Sequence, residues 1–453
     1  MSSDNSSNST FSPEKEETAN NPAVTKPADC ARAAQQSSSS CSTAPDALDT
    51  QKDSPRSDGP KSGHEGYSHL TKYDVGWRRV VRHFSPSWFS VTMGTGIVAV
   101  LLNSIPFKAH WLYYLSIIFF ILNAVLFASA LCISILRYSL YPEIWFAMIR
   151  DPVNSLFLGT MPMGLATLVE MWVFVCVPSW GRWAKIVAWV LWMIDAVIAV
   201  AVTVFLSFLL VSRDYIKSLD KITAAQLLPI AATIVSAGLG SEVAAVLDNS
   251  QHALGTIMTC YVLWGMGVPL AVAVLVMYYQ RLAVHKLPPR EVIVSSFLPL
   301  GPLGFGGFGI MYLGKVSRNV FQETNTLDPI AGSVLYVLGF FIATIMWGFG
   351  LIWFCLAIAS IYQSRPFPFN MGWWGFTFPL GVFSASTIQI GNEMPSKFFK
   401  VLGTVFATSV ILLWIFVATR TVKGAWSGKL FYAPCVAGLK PKEEITNDLA
   451  SKA

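Results

Sequence analysis

The chain has 453 residues, of which 53% are apolar and only 13% charged, where a water-soluble domain carries about a quarter. That balance excludes a soluble globular enzyme and points to a membrane-embedded protein. The formal net charge of +6 is not a nucleic-acid signature, because the lysines and arginines gather at the ends of apolar segments, where they orient a chain in a bilayer.

Residues 1–75 are rich in Ser, Asn, Pro, Asp, Glu and Lys and include the run QQSSSSCSTA. Such a segment buries too little apolar surface to offset its ordering entropy. It lacks a basic, apolar and cleavable leader, and reads as a disordered cytoplasmic tail. A transport domain is expected over 76–425, and a second cytoplasmic tail over 426–453.

Ten apolar segments fill the middle: 88–103, 112–136, 156–177, 186–211, 227–247, 254–280, 292–313, 329–361, 371–390 and 398–419. Each approaches or exceeds the roughly twenty residues that span hydrocarbon. The odd-numbered ones are interrupted by Gly, Pro, Ser and Thr, as in LGTMPMGLATL from Leu158, LLPIAATIVSAGLG from Leu227 and LPLGPLGFGGFGIM from Leu298. The even-numbered ones are smoother. Disrupted backbone is tolerated at membrane depth only against protein or a water-filled cavity. The alternation therefore predicts an all-α membrane protein of ten helices in five hairpins, with the odd helices forming an inner ring around a central pore. With the N-terminus placed in the cytoplasm, Lys and Arg favour the cytoplasmic loops by roughly two to one, which predicts that both termini are cytoplasmic.

Three carboxylates fall in or near apolar spans. Glu170 and Glu242 read as residues near helix ends that reach water. Asp195 lies deeper, on an outer helix, and reads as an interhelical hydrogen bond or ion pair. Cys132, Cys176, Cys260 and Cys355 read as soft core residues. No metal spacing, catalytic constellation, phosphate loop or disulfide framework is present, so no cofactor, metal or nucleic acid is implied. The text LGPLGFGGFG sits in an apolar helix and not after a strand, which argues against a dinucleotide site.

The interrupted helices instead carry Thr92, Thr95, Thr160, Thr233, Ser236, Thr377 and Ser384. Hydroxyls and helix-end dipoles offer weak positive potential to a dehydrating anion. The alternative is that they let the inner helices pack closely. Pro162, Pro302 and Pro379 mark the breaks. Among the aromatic rings beside them, Phe89, Phe305, Phe308, Phe376 and Phe378, the ring of Phe378 directly precedes Pro379 and is the candidate gate.

The runs SVTMGTGIVAVLL, FLGTMPMGLATL, LGPLGFGGFGIMYL, GWWGFTFPLGVFSAST and FKVLGTVFA resemble the tellurite-resistance/dicarboxylate transporter family. Within it, GTMPMGL, GPLGFGGFGI and the WGFTFPLG run followed by Gly391, Asn392 and Glu393 are similar to the fungal sulfite efflux pumps. Plant slow anion channels and fungal malate permeases belong to the same family. The resemblance implies export of sulfite or bisulfite across the plasma membrane, with malate or another dicarboxylate as the alternative. It also implies a pore phenylalanine on the ninth helix, carried onto Phe378 with Phe376 as the competing assignment, and a homo-oligomer, a trimer or else a dimer.

Overall fold

A computed structural model describes residues 76–212, 219–433 and 436. The expected tail over 1–75 and most of that over 426–453 lie outside the described residues, as do Arg213, Lys217, Cys30, Cys41 and Cys435. Within the described residues the chain is helical, with no strand.

The long helices in chain order are α1 (Pro86–Ser104), α2 (His110–Leu140), α3 (Ser155–Trp180), α4 (Arg182–Ser212), α5 (Ala224–Val246), α6 (Ser250–His285), α7 (Ile293–Thr324), α8 (Ala331–Gln363), α9 (Trp374–Glu393) and α10 (Lys397–Trp426). Nine of them are long and apolar enough to cross a membrane. The ninth in order, α9, is more polar because it carries Thr377, Ser384, Ser386, Thr387 and Gln389, yet all of it is buried except Gln389, Asn392 and Glu393. Two short helices, Trp77–His83 and Glu143–Arg150, precede α1 and α3.

Burial alternates along the chain. In α1, α3, α5 and α7, 67–100% of the most apolar stretch is buried, whereas in α2, α4, α6, α8 and α10 the figure is 22–33%. The outer helices bear the exposed Leu, Ile, Val and Phe side chains, as a lipid-facing surface requires. The buried helices touch in closed cyclic order: α1 on α3, α3 on α5, α5 on α7, α7 on α9, and α9 back on α1.

The interruptions read from the sequence take a different form in three dimensions. All five buried helices are continuous, and each opens with a 3₁₀ turn: Pro86–Trp88, Ser155–Gly159, Ala224–Gln226, Ile293–Phe297 and Met371–Trp373. Pro86, Pro162, Pro229 and Pro302 fall in or just after these turns, where a helix has no use for the missing N–H. Farther along, α9 holds Pro379 in its interior and α3 holds Pro178 in its last turn, just after the π turn Trp172–Cys176. One smooth outer helix, α6, also has an internal proline, Pro269. α7 extends to Thr324, well past the predicted end at 313, because Val316, Val320 and Phe321 still pack inward after the continuous apolar run has ended.

A repeated hydrogen bond fastens each outer helix to the next buried one. Asn123 Nδ2 of α2 donates to Thr167 Oγ1 of α3 at 3.2 Å. Trp192 Nε1 of α4 donates to the Ser236 carbonyl of α5 at 2.9 Å, and Trp264 Nε1 of α6 to the Gly306 carbonyl of α7 at 2.8 Å. Trp347 Nε1 of α8 donates to Thr387 Oγ1 of α9 at 2.9 Å, and Trp414 Nε1 of α10 to Thr95 Oγ1 of α1 at 3.0 Å. A buried N–H donor is costly without an acceptor, and in these five cases, four indoles and one amide, the neighbouring helix supplies it. Close approach does the rest. A Cβ on Gly304 of α7 would lie 2.7 Å from the Phe383 backbone nitrogen of α9, so only glycine permits that crossing.

Candidate functional site

The five buried helices all begin at one end of the molecule, where their first turns surround a cavity of about 590 Å³. Its wall takes Ser90 from α1, Phe157 from α3, Ala225 from α5, Ser295 from α7 and Gly375 from α9, with Lys429 at its rim. Each helix N-terminus carries roughly half a positive charge from its unpaired N–H groups. Five such ends facing one cavity contribute positive potential to it, while its lining also carries the carboxylates of Asp151 and Glu291 alongside the exposed Lys429.

Directly beyond the cavity floor the helices close on a void of about 10 Å³. All five contribute: Met93, Met163, Leu228, Pro302 and Phe378, each from a different helix, with Pro379 beside the last. Met93, Leu228 and Leu298 line both spaces, so the void continues the cavity inward. A void of that size holds about one water molecule, and its lining is wholly apolar in residue type. A hydrated anion does not pass such a point unless a side chain moves.

The two candidate gate rings part here. Phe378, 3% exposed, lines the void. Phe376 sits two residues earlier and points elsewhere, edge-on to Phe297 at 5.0 Å and to Trp373 at 5.5 Å between centroids. Phe305 lies against Gly238 of α5 and continues through Phe308 to Tyr312 as a ladder of rings 5.2 and 5.7 Å apart. Phe89 is turned to α2, edge-on to Phe127 at 5.6 Å, and lines an apolar groove of about 820 Å³ between α2 and α4.

The hydroxyls are committed to backbone and to seams between helices. Thr92 donates to the Phe89 carbonyl and faces Gly164 of α3; Thr95 donates to Val91 O and accepts from Trp414. Thr160 reaches the carbonyls of Phe157 and Pro86, and Thr233 donates to Ile230 O beside Gly267 of α6. Thr377 donates to Trp374 O, and Ser384 of α9 to Gly403 O of α10 at 2.9 Å. None of them borders the void. Pro162 is buried one residue before Met163, which does border it.

The carboxylates correct the sequence reading. Glu170 and Glu242 do not reach water: each is 3% exposed, because α4, α6 and the neighbouring buried helices enclose the ends of α3 and α5. Asp195 is wholly buried on the inward face of α4, where its side chain is set against the Ser236 hydroxyl of α5 across the helix seam, with no partner in full hydrogen-bond geometry. At the far end Glu393 is held by Lys315 Nζ at 2.8 Å, Tyr336 Oη at 2.9 Å and Gln389 Nε2 at 2.8 Å. The Gly391–Asn392–Glu393 run is the only trace of this network in the string of residues, since Tyr336 and Lys315 lie 57 and 78 positions away on other helices. In the loop joining α1 to α2, partial burial lowers the pKa of Lys108 from the ordinary lysine range.

The voltage-dependent anion channel family matches residues 83–422. The chain is 52% identical over 351 residues to a sulfite efflux pump of Arthroderma benhamiae, covering 78% of this chain and 93% of that one. It is 25% identical to a sulfite efflux pump of Saccharomyces cerevisiae, covering 78% and 90%, and 25% identical to a malic acid transport protein of Schizosaccharomyces pombe, covering 78% and 81%.

Proposed function

This chain belongs to the voltage-dependent anion channel family, and we propose that it is a multi-pass exporter of sulfite or bisulfite in the plasma membrane. The observation that carries the substrate is the 52% identity to a sulfite efflux pump along nearly all of that protein's length. The pathway is assigned to the axis enclosed by α1, α3, α5, α7 and α9. The cavity at the five helix starts is its cytoplasmic entrance, the small apolar void its closed constriction, and Phe378 its gate. Ten helices then cross the membrane as five hairpins, with both termini cytoplasmic. Pro302 and Pro379 line the constriction with Phe378, and Phe305 and Phe308 continue the wall above it. Thr92, Thr95, Thr160, Thr233, Ser236 and Ser384 hold the wall together at its seams. A homo-oligomer, a trimer in the first instance, is proposed from the family resemblance.

Export follows from these parts in sequence. The helix dipoles concentrate the anion at the entrance without binding it tightly. Its hydration is lost at an apolar ring that opens when the Phe378 side chain leaves the axis. No Lys or Arg lies within the buried helices before Lys315, near the far end of α7, so no fixed cation traps the anion on the way. The same absence disfavours malate, whose two carboxylates call for a cationic partner when dehydrated. Cells lacking the protein should accumulate sulfite and grow poorly in it while taking up malate normally. Normal sulfite tolerance with impaired malate uptake overturns the substrate.

A further inference from the structure

The pathway wall can be followed upward from the constriction by helical spacing. On α3 the constriction residue Met163 is followed on the same face, seven positions on, by Glu170, about 10 Å farther along the helix. On α5 the constriction residue Ala231 is followed eleven positions on by Glu242, about 16 Å farther. On α7, Gly301 leads by the same count to Tyr312. The three lie within electrostatic reach of one another: the charge of Glu170 acts on Glu242, and the charges of both act on Tyr312. Both carboxylates are 97% buried, and one oxygen of Glu242 has no hydrogen-bond partner. Among the described residues no Lys or Arg is bonded to either; Lys315 of α7 lies 5.9 Å from the Tyr312 ring centroid and is engaged by Glu393. The helix of Glu170 changes to a π turn at Trp172–Cys176, directly beyond it.

We propose that Glu170 and Glu242 are a proton-operated electrostatic filter in the outer half of the anion pathway, open when the pair carries its protons and closed to anions when it is bare. The inference rests on the assignment of the pathway to the axis of the five buried helices. Its physics is direct: a bare carboxylate pair in a low-dielectric passage repels an approaching anion, and each bound proton removes one charge and supplies an O–H donor to the anion instead. No bond to the anion forms or breaks, and the proton is taken from and returned to water. The groups that face the pair are few. Tyr312 faces it from α7, and Glu393 of α9 acts on the same tyrosine. Asp195 of α4 and Cys260 of α6 approach α5 from its outer side, at Ser236 and Gly240. Lys185 of α4 is paired with Asp248 at 2.5 Å, and α1 brings no titratable residue.

The test is sulfite flux from liposomes holding wild-type protein, Glu170→Gln, Glu242→Gln or the double variant, across a pH series. Sulfite itself changes protonation over that range, so the readout is the ratio of variant to wild-type flux at each pH, in which the substrate's own chemistry cancels. The ratio for the double variant should rise by about tenfold from acid to alkaline pH. A ratio that stays flat, in protein shown to be folded by its thermal transition, overturns the filter. Absence of sulfite flux in the wild type at every pH instead overturns the transport assignment. In that case the infrared carbonyl band of protonated carboxyl groups decides the pair alone. A pH-dependent band lost in the double variant keeps the proton site, and an unchanged band removes it.

Discussion

Trp414 of α10 donates its indole N–H to the hydroxyl of Thr95 on α1, 319 residues away in sequence, and so joins the last long helix to the first. It is the fifth of a set. Asn123, Trp192, Trp264 and Trp347 make the same connection from α2, α4, α6 and α8 to the buried helix that follows each. A cyclic arrangement of helices needs one contact between chain ends that are remote in sequence, and this hydrogen bond is part of it.

Trp414→Phe removes the donor but keeps most of the apolar contact. Thr95 still donates to Val91 O, so no buried donor is stranded. The expected loss is about 1 kcal/mol, seen as a lower thermal transition in detergent with sulfite flux per folded molecule unchanged. An unaltered transition shows that the bond contributes nothing to ring closure.

Gly304→Ala acts on the α7–α9 crossing. Its Cβ would meet the Phe383 backbone, which cannot swing aside as a flexible side chain does. Overpacking of this kind costs about 1–3 kcal/mol. Destabilisation of that size by thermal melting is expected, and a neutral substitution would mean the helices separate freely at that point.

How much of this was legible in the sequence differs by level. The alternation of interrupted and smooth segments marked which helices are buried, because Gly and Pro are tolerated where backbone meets protein. It misjudged the interruptions, since a proline in the opening turn and one in mid-helix look alike in a string of residues. Trp192, Trp264, Trp347 and Trp414 recur in the middle of four of the five outer helices, with Asn123 in that role on α2, and that recurrence of buried N–H donors is the signal the string carries. Glu170 and Glu242 read as water-facing in the string because distance from a segment end says nothing about what encloses that end, and both are 3% exposed.

The orientation is open to direct labelling. Both termini are assigned to the cytoplasm, from the distribution of Lys and Arg. A tag placed before Ser85 should be inaccessible to an impermeant label on intact cells, and one in the loop between α7 and α8, at Asp328, should be labelled. The reverse pattern inverts the transporter and turns its wide cavity outward.

Phe376 and Phe378 separate gate from packing. Phe376→Ala removes a ring held by Phe297 and Trp373, and should cost about 3–5 kcal/mol of stability with little change in flux per folded molecule. An increase in conductance there would move the gate by two residues.

The most direct test of the whole account is anion flux through Phe378→Ala in liposomes under an imposed membrane potential, normalised to folded protein. Phe378 lines the void on which all five buried helices close, so removing its ring should raise passive sulfite flux well above that of the wild type. Equal flux in Phe378→Ala and wild type, with both proteins folded and the wild type conducting, would contradict the claim that this residue closes the pathway.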